Sequence, residues 1–403
     1  MNRRPATTDL STRLVHHAYR APDGFDAVAP GVYKASTVFF PNVQALRTQD
    51  WKDKSAYTYG LHGTPTSFIL EERIATIEGG RHCVLAPSGL SAVSLVDMAF
   101  LRQGDELLIP DNAYGPNKAF AGVELKAWGI EHRFYDPMDP ADLAARITPA
   151  TRLVWLEAPG SITLEFPDMP ALLAVIRQAN EGRSRPIVSA LDNTWGAGVA
   201  FNAFELGVDV SMQALTKYPS GGADVLMGSV VTVDDDLHRQ VLLTHMRLGL
   251  GVGANDVELV LRGLPSLPLR YQAQDAATRM LATWMQTQPG VAKVLHPALP
   301  DSPGHPAWLR DARAAACLFS VVFDERFSQA QVDAFCDSLT LFRLGWSWAG
   351  PVSLCAPYDV PSIRAATRWP HKGGLVRFAV GLEEVEDLKA DLAQALLVLS
   401  SGR

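Results

Sequence analysis

Short apolar runs alternate with helix-like stretches along the middle of the chain. The apolar runs are residues 82–86, 106–110, 132–135, 153–156, 187–191 and 208–215. Helical periodicity is found between them, for example in residues 89–101, 116–127 and 169–180. Strands that alternate with helices at this spacing pair in parallel, because each helix returns the chain to the same edge of the sheet. The pattern therefore predicts a mainly parallel sheet covered by helices on both faces.

A further apolar run departs from this alternation. Residues 225–233 follow Gly221 and Gly222 without an intervening helix, so this strand can pair antiparallel with its neighbours. At the start of the regular pattern, residues 67–77 form an amphipathic helix that Gly79 and Gly80 end.

The two ends of the chain differ from its middle. The first 62 residues are irregular and rich in Pro, Gly and aromatic residues, and we interpret them as an arm that contacts a neighbouring subunit. A helical pattern over residues 255–288 is interrupted near Pro265 and Pro268, and beyond it strands mix with helices. We therefore expect an arm of residues 1–62, a large α/β domain of residues 63–257 and a smaller α+β domain of residues 258–403.

Composition narrows the class of protein. The chain has 403 residues, of which 47% are hydrophobic and 20% charged, and its net charge is −7. This balance is typical of globular enzymes and argues against non-specific nucleic-acid binding. The sequence predicts no membrane span and no secretory signal, because the basic first residues precede no apolar run. The four cysteines form no CxxC pair, so we expect free thiols in a reducing cytoplasm and no metal site.

The residues that follow the predicted strands carry candidate chemistry. In open parallel sheets, ligands bind beyond the carboxyl ends of the strands. These turns contain Asp192, Lys217, Tyr114 and the sequence Ser88-Gly89-Leu90. A pyridoxal 5'-phosphate (PLP) site needs such a set: a lysine, a carboxylate for the pyridine nitrogen, a stacking ring and a helix N-terminus for the phosphate. Each residue alone is more often a turn, cap or surface residue, so the hypothesis depends on their joint placement.

Longer motifs agree with this hypothesis. The segment DNTWGAGVAFNAFELGVDVSMQALTKY, residues 192–218, resembles the cofactor-lysine segment of the Cys/Met-metabolism PLP family. The resemblance extends over nearly the whole chain, including TYGLHGTPT, APSGLSAV, LEAPGSITLE and VRFAVGLEEVEDL. It implies a fold-type I α/β enzyme with a mainly parallel seven-stranded sheet and a smaller C-terminal domain. It also implies a cytoplasmic homotetramer made of two active dimers, a sulfur amino-acid substrate and a place in methionine biosynthesis.

The resemblance assigns roles to individual residues. Lys217 matches the lysine that forms a Schiff base with PLP, and Asp192 matches the partner of the pyridine nitrogen. Tyr114 matches the stacking tyrosine, and Tyr59 matches a tyrosine that reaches the neighbouring subunit's site. Arg377 matches the arginine that holds the substrate α-carboxylate. The positions that match the phosphate side of the site are Ser88, Gly89, Leu90 and Thr216.

Two positions depart from the family pattern. Leu61 stands where the family usually has an arginine that helps to neutralise the cofactor phosphate. Ala214 stands where the family tends to have a serine. Leucine and alanine cannot donate hydrogen bonds from their side chains, so the phosphate must rely on other donors.

The choice of reaction depends on the stretch around Ser347 and Trp348. Family members that break the bond at Cβ resemble this stretch, whereas members that act at Cγ usually carry Glu-Ser-Leu-Gly-Gly there. We therefore expect a carbon–sulfur lyase that acts at Cβ, with Ser347, Trp348 and Asn193 at the substrate. Cleavage at Cγ and broad activity on cysteine S-conjugates remain alternatives. A non-catalytic interaction protein would not need the set of Lys217 and its neighbours, and a nucleotide-binding protein lacks the expected glycine motif.

Overall fold

The computed structural model describes residues 9–401, except 18, 20, 21, 26 and 53. The α-helices of this part are α1 (Leu10–Val15), α2 (Val43–Thr48), α3 (Pro65–Glu78), α4 (Gly89–Phe100), α5 (Gly115–Phe120), α6 (Pro140–Arg146), α7 (Met169–Asn180), α8 (Ala203–Leu206), α9 (Asp235–Leu248), α10 (Ala254–Gly263), α11 (Leu267–Met285), α12 (His305–Asp311), α13 (Gln329–Ser338), α14 (Val360–Ile363) and α15 (Val385–Ser401). The strands are β1 (His82–Ala86), β2 (Glu106–Pro110), β3 (Glu131–Tyr135), β4 (Thr151–Glu157), β5 (Val188–Asp192), β6 (Val210–Ala214), β7 (Gly228–Thr232), β8 (Val291–Leu295), β9 (Leu318–Phe323), β10 (Arg343–Leu344), β11 (Leu354–Tyr358) and β12 (Leu375–Ala379).

The larger sheet has seven strands in the order β1-β7-β6-β5-β4-β2-β3. Strands β6, β5, β4, β2 and β3 pair in parallel. Strand β7 pairs antiparallel with both β1 and β6, as the missing helix before it predicted. Buried apolar clusters lie on both faces of the sheet, which explains why its strands are apolar throughout. The fold class expected from the sequence is therefore confirmed.

The smaller sheet has five strands in the order β10-β11-β12-β9-β8. All its pairs are antiparallel except β10 with β11. Phe319 of β9 and Phe378 of β12 stack with their ring centres 5.0 Å apart, and side chains of α13 and α15 complete this core. Strand β12 is the middle strand of this sheet, so its side chains have neighbours on both sides.

Helices α10 and α11 connect the two sheets. The prolines predicted to interrupt the helical pattern do so, because Leu264–Ser266 form a short 3-10 helix between α10 and α11. The first turns of α11 pack into the large core, where the Tyr271 hydroxyl donates to the Trp195 carbonyl at 2.9 Å. Its last turn, with Leu281 and Met285, packs into the small core. The domain boundary expected after residue 257 therefore falls inside α10.

The described residues before position 63 lie outside both sheets. They contain two short helices, α1 and α2, that the sequence pattern did not predict, because six residues are too few to establish a period. Several large apolar side chains here face solvent, with Val28 98% and Phe39 93% exposed. In the described residues, no helix is both long and apolar enough to cross a membrane.

Candidate active site

A cavity of about 790 Å³ opens where the two sheets meet. Its walls come from the carboxyl ends of β2, β4, β5 and β6 and from four segments of the small domain. The carboxyl ends of these strands converge here because parallel strands all end at the same edge of the sheet. Ten of the twelve site residues predicted from the sequence line this cavity.

Lys217 lies in the turn that follows β6. The turn is closed by hydrogen bonds from the Lys217 amide to the Ala214 carbonyl at 3.1 Å and from the Gly221 amide to the Lys217 carbonyl at 3.0 Å. The Lys217 Nζ donates to the Ser347 Oγ at 2.7 Å and lies 5.3 Å from the centre of the Trp348 ring. These two contacts come from the small domain, so the lysine is held from both sides of the cavity.

The environment of Lys217 favours its neutral form. Burial lowers the pKa of the amine to about 8, and the positive charge of Arg377 acts in the same direction. The charge of Asp192 opposes this shift only in part. A lysine near this value is a nucleophile and a base at mildly alkaline pH, whereas an ordinary lysine is almost fully protonated there.

Asp192 ends β5, next to Glu157 at the end of β4. Its side chain is partly exposed, and its Oδ1 accepts a hydrogen bond from the Thr194 amide at 3.0 Å. Burial raises the pKa of Asp192, while the contact with Thr194 and the charge of Lys217 lower it. A carboxylate in this position suits a cationic ring nitrogen, because the positive charge of the ring would compensate the negative charge of Asp192.

Glu157 also lines the cavity, although the sequence reasoning missed it. Its Oε2 accepts a hydrogen bond from the Tyr114 amide at 2.8 Å, which fixes the start of α5. Burial and the neighbouring charge of Asp192 raise the pKa of Glu157 well above its ordinary value. The same inspection of strand ends, applied to β4, would have found this residue.

Tyr114 stands directly before α5 at the cavity wall. It is 39% exposed and lines the cavity. Burial raises the pKa of its hydroxyl, as do the charges of Asp192 and Glu157. The hydroxyl therefore stays protonated at neutral pH, and the ring can pack on a planar ligand.

Four residues could hold a phosphate group at the other end of the cavity. Ser88 caps α4, and the amides of Gly89 and Leu90 lie in its first turn, where the helix supplies no acceptor. A Cβ on Gly89 would lie 2.7 Å from the Cβ of Ala214, so only glycine permits this close approach of α4 to β6. The Thr216 side chain lines the same end. The residues present therefore fit PLP.

The two departures from the family pattern lie in different places. Ala214 packs against Gly89 beside the phosphate end, and its amide donates to the Thr194 Oγ1 at 3.0 Å. Leu61 instead lines a second cavity of about 440 Å³. Next to it, His62 stacks on Trp51 with ring centres 4.3 Å apart, so His62 packs within the arm.

Arg377 reaches the cavity from the middle strand of the small sheet. It is only 5% exposed, its Nη1 donates to the Ser161 carbonyl at 3.1 Å, and its guanidinium lies 5.2 Å from the centre of the Tyr358 ring. Among the described residues, no carboxylate forms an ion pair with Arg377. A buried guanidinium with free donors suits a substrate carboxylate, which it can bind with two parallel hydrogen bonds.

The wall formed by residues 360–367 is tied to the large domain by Asp111. The amides of Ala365, Ala366 and Thr367 donate to its carboxylate at 2.8, 3.0 and 2.7 Å. Burial would raise the pKa of Asp111, but these hydrogen bonds and the charge of Lys118 outweigh burial and lower it. No local sequence pattern indicated this contact, because the two partners are more than 250 positions apart.

Two predicted site residues lie elsewhere. Asn193 was expected to contact substrate, but it is fully buried and donates from its Nδ2 to the Glu78 Oε2 at 2.9 Å. Successive side chains at a strand end point to opposite faces, so Asp192 faces the cavity and Asn193 faces away. Tyr59 lies in the arm, 45% exposed, with Thr37 as its bridge partner, and does not line this cavity. Its role towards a neighbouring subunit stays a prediction.

The described residues contain no group of His, Cys, Asp or Glu that could hold a metal ion. Each of the four cysteines is free and buried.

Comparisons with known proteins agree with the cofactor that the cavity fits. The family model described as Cys/Met metabolism PLP-dependent enzyme matches residues 11–397. The cystathionine beta-lyase of Bordetella avium is 37% identical over 393 residues, which cover 95% of this chain and 96% of that protein. The cystathionine beta-lyase of Escherichia coli (strain K12) is 35% identical over 392 residues, which cover 96% and 98%. The crystal structure of metB from Corynebacterium glutamicum superposes with a TM-score of 0.87 and 27% identity, covering 98% of this chain and 99% of that one.

The lowered pKa of Lys217 predicts how the apoprotein takes up PLP. Because only the neutral amine attacks the cofactor aldehyde, the rate of covalent loading should rise about tenfold per pH unit below about pH 8 and level off above it. Stopped-flow absorbance after mixing apoprotein with PLP, between about pH 6 and pH 10, measures this rate. A rate that still rises tenfold per unit above about pH 9 would show that Lys217 keeps the pKa of an ordinary lysine.

Proposed function

The chain belongs to the Cys/Met metabolism family of PLP-dependent enzymes, and from this we propose that it is a cystathionine beta-lyase. The reaction cleaves L-cystathionine to homocysteine, pyruvate and ammonia. The observation that carries the choice of Cβ is the contact of Ser347 and Trp348 with the Lys217 amine inside the cavity. The relatives of 35–37% identity over nearly the full length support the same choice.

The cofactor, when bound, supplies an electron-accepting ring that stabilises negative charge at the substrate Cα. Asp192 would hold a proton on the ring nitrogen through its carboxylate, because it lies at the cavity wall and the charge of Lys217 favours its ionised form. Tyr114, at the cavity wall, would pack on the ring face and exclude water from it. Gly89 and Leu90 would bind the phosphate with their amides, and Thr216 lines the same cavity.

Arg377 binds the substrate α-carboxylate and thereby sets the orientation of Cα towards Lys217. The Lys217 Nζ then removes the Cα proton, which its lowered pKa permits near neutral pH. Ser347 holds the same nitrogen through its hydroxyl and limits the amine to one side of the cavity. The proton carried by Nζ is available to the sulfur that leaves from Cβ, so one residue serves both steps.

Assembly and location are further parts of this proposal. We propose that the chain forms a homotetramer of two active dimers and works in the cytoplasm. Support for assembly comes from the arm, whose side chains Val28 and Phe39 are almost fully exposed although they are apolar. Tyr59 is placed on the same arm and outside its own chain's cavity, as a residue for a neighbour's site would be.

Product analysis tests the proposed reaction directly. With L-cystathionine as substrate, we expect pyruvate and homocysteine in equal amounts, because the bond breaks at Cβ. Coupled dehydrogenase assays and thiol chromatography separate these from 2-oxobutyrate and cysteine, the products of cleavage at Cγ. Finding the second pair would replace the proposal by the γ-cleaving alternative. Equal rates with unrelated cysteine S-conjugates would point to a broad S-conjugate lyase.

Replacement of the lysine should abolish the reaction. Lys217→Ala removes both the covalent link and the base, so turnover should fall about a thousandfold or more, together with the visible absorbance of the bound cofactor. Lys372→Ala is the matched control, because the side chain of that lysine is 82% exposed and does not line the cavity. Full lyase activity in Lys217→Ala would sink the assignment.

Replacement of the carboxylate anchor should affect binding more than turnover. Arg377→Ala removes charged hydrogen bonds of about 1.5–3 kcal/mol, so KM should rise about tenfold to a hundredfold while kcat changes less. Arg262→Ala, at an arginine that is 74% exposed, serves as the control in the same steady-state assay. An unchanged KM in Arg377→Ala would refute this role.

A further inference from the structure

A fully buried carboxyl lies next to the turn that carries Asp192. Glu78, the last residue of α3, has no exposed surface. Its Oε2 accepts hydrogen bonds from the Asn193 Nδ2 at 2.9 Å and from the Ser211 Oγ at 2.7 Å. Its Oε1 accepts a hydrogen bond from the Gln213 Nε2. Three donors from two neighbouring strand ends therefore converge on one carboxyl group.

These donors come from the strands that carry the two proposed anchors of the cofactor. Asn193 directly follows Asp192, and the backbone amide of Asn193 donates to the Met212 carbonyl on β6 at 2.8 Å. Ser211 and Gln213 flank Met212 on β6, four to six residues before Lys217. Because side chains alternate along a strand, Met212 lines the cavity while its two neighbours point to Glu78.

The orientation of both amide side chains depends on Glu78. The Asn193 Oδ1 and the Gln213 Oε1 are buried and have no hydrogen-bond partner within the described residues, so each amide is placed to donate rather than to accept. Gly196 packs closely against the Asn193 side chain, because a Cβ at position 196 would lie only 2.3 Å from the Asn193 Oδ1. Removing an acceptor oxygen from Glu78 would leave a buried N–H without a partner, which costs more than the lost hydrogen bond.

The charge of Glu78 also matters for Asp192. Burial raises the pKa of Glu78 to about 7, the three hydrogen bonds oppose this shift, and the charge of Asp192 adds to it. Two neighbouring carboxyls that repel each other share negative charge unevenly. Asp192 has the nearby Lys217 amine to favour its ionised form, whereas Glu78 forms no ion pair in the described part of the chain.

We propose that Glu78 is a positioning residue, which fixes the ends of β5 and β6 so that Asp192 and Lys217 face one cofactor in register. It acts through Asn193 on the Asp192 turn and through Gln213 and Ser211 on β6. This inference rests on the proposed role of Asp192 as partner of the cofactor nitrogen. It also gives Asn193 a role, as the link between Glu78 and the Asp192 turn.

The test compares Glu78→Gln with the wild-type holoenzyme. Glutamine keeps the size of the side chain but turns an –NH2 group towards the donors of Asn193 or Gln213. We expect a shifted absorbance maximum of bound PLP, a dissociation constant for PLP that is about tenfold higher and a kcat that is about tenfold lower, with KM changed by less than about twofold. Absorbance titration of the apoprotein and steady-state kinetics give these values.

Asp97→Asn is the matched control. Asp97 is a fully buried carboxyl of α4 on the other face of the sheet, where it accepts from the Trp155 Nε1 at 2.8 Å, and burial raises its pKa to about 7 as well. Its replacement should lower the melting temperature without moving the absorbance maximum or the affinity for PLP. A variant of Glu78 that behaves like Asp97→Asn would reduce Glu78 to a structural role and overturn the proposal.

Asn193→Ala tests the same link without touching Glu78, and it decides the question if Glu78→Gln does not fold. We expect Asn193→Ala to reproduce the changes in cofactor absorbance and PLP affinity. The double variant with Glu78→Gln should change these two quantities little further, because both residues act in one network. Additive effects would contradict the link. Asp192→Asn separates the two proposals. If this variant keeps the cofactor absorbance of the wild type, the proposed role of Asp192 is wrong. If Asp192→Asn changes the absorbance but Glu78→Gln and Asn193→Ala do not, only the inference about Glu78 is wrong.

Discussion

The burial of charge at the carboxyl ends of β4, β5 and β6 governs the rest of this structure. Glu157, Asp192 and Lys217 are placed within one water-poor region, where an ionised group is stable only beside a partner. Burial therefore drives the amine towards its neutral form and the carboxyls towards theirs. A cofactor with a cationic ring and an anionic phosphate complements this region at both ends.

The small domain completes the region from the opposite side. Ser347 follows strand β10 and Arg377 lies on β12 of the five-stranded sheet. Asp111 of the large domain holds a further segment of the small domain by accepting hydrogen bonds from three backbone amides. The segment at Ser347 is itself fixed by Gln274 of α11, whose side-chain amide donates to the carbonyls of Gly350 and Val380 at 3.0 Å. Packing between the domains thus sets the distance between the groups that bind substrate and the groups that bind cofactor.

The sequence predicted much of this arrangement, for definable reasons. Strands such as β1 and β2 were found to the residue, because a strand of a sheet covered by helices on both faces needs a continuous apolar run. Asp192 and Lys217 were found because they directly follow predicted strands, and ligands bind beyond the carboxyl ends of the strands in open parallel sheets. The prediction that Asn193 contacts substrate was wrong, because the direction of a side chain at a strand end depends on the pleat of the strand and not on the residue type. The contacts of Asp111 with residues 365–367 lay beyond any local pattern, because loop closure over such a separation leaves no periodic trace.

Arg377 stands on the middle strand of a sheet that shares no strand with the one carrying Lys217. Substitutions along β12 and its neighbours can therefore reshape recognition of the amino acid while the catalytic lysine and the phosphate end keep their backbone. For evolution, this division means that new substrate preferences can arise in one half of the molecule without repeated rebuilding of the other. For engineering, it marks the small domain as the part to randomise when the reaction is to be kept and the substrate changed.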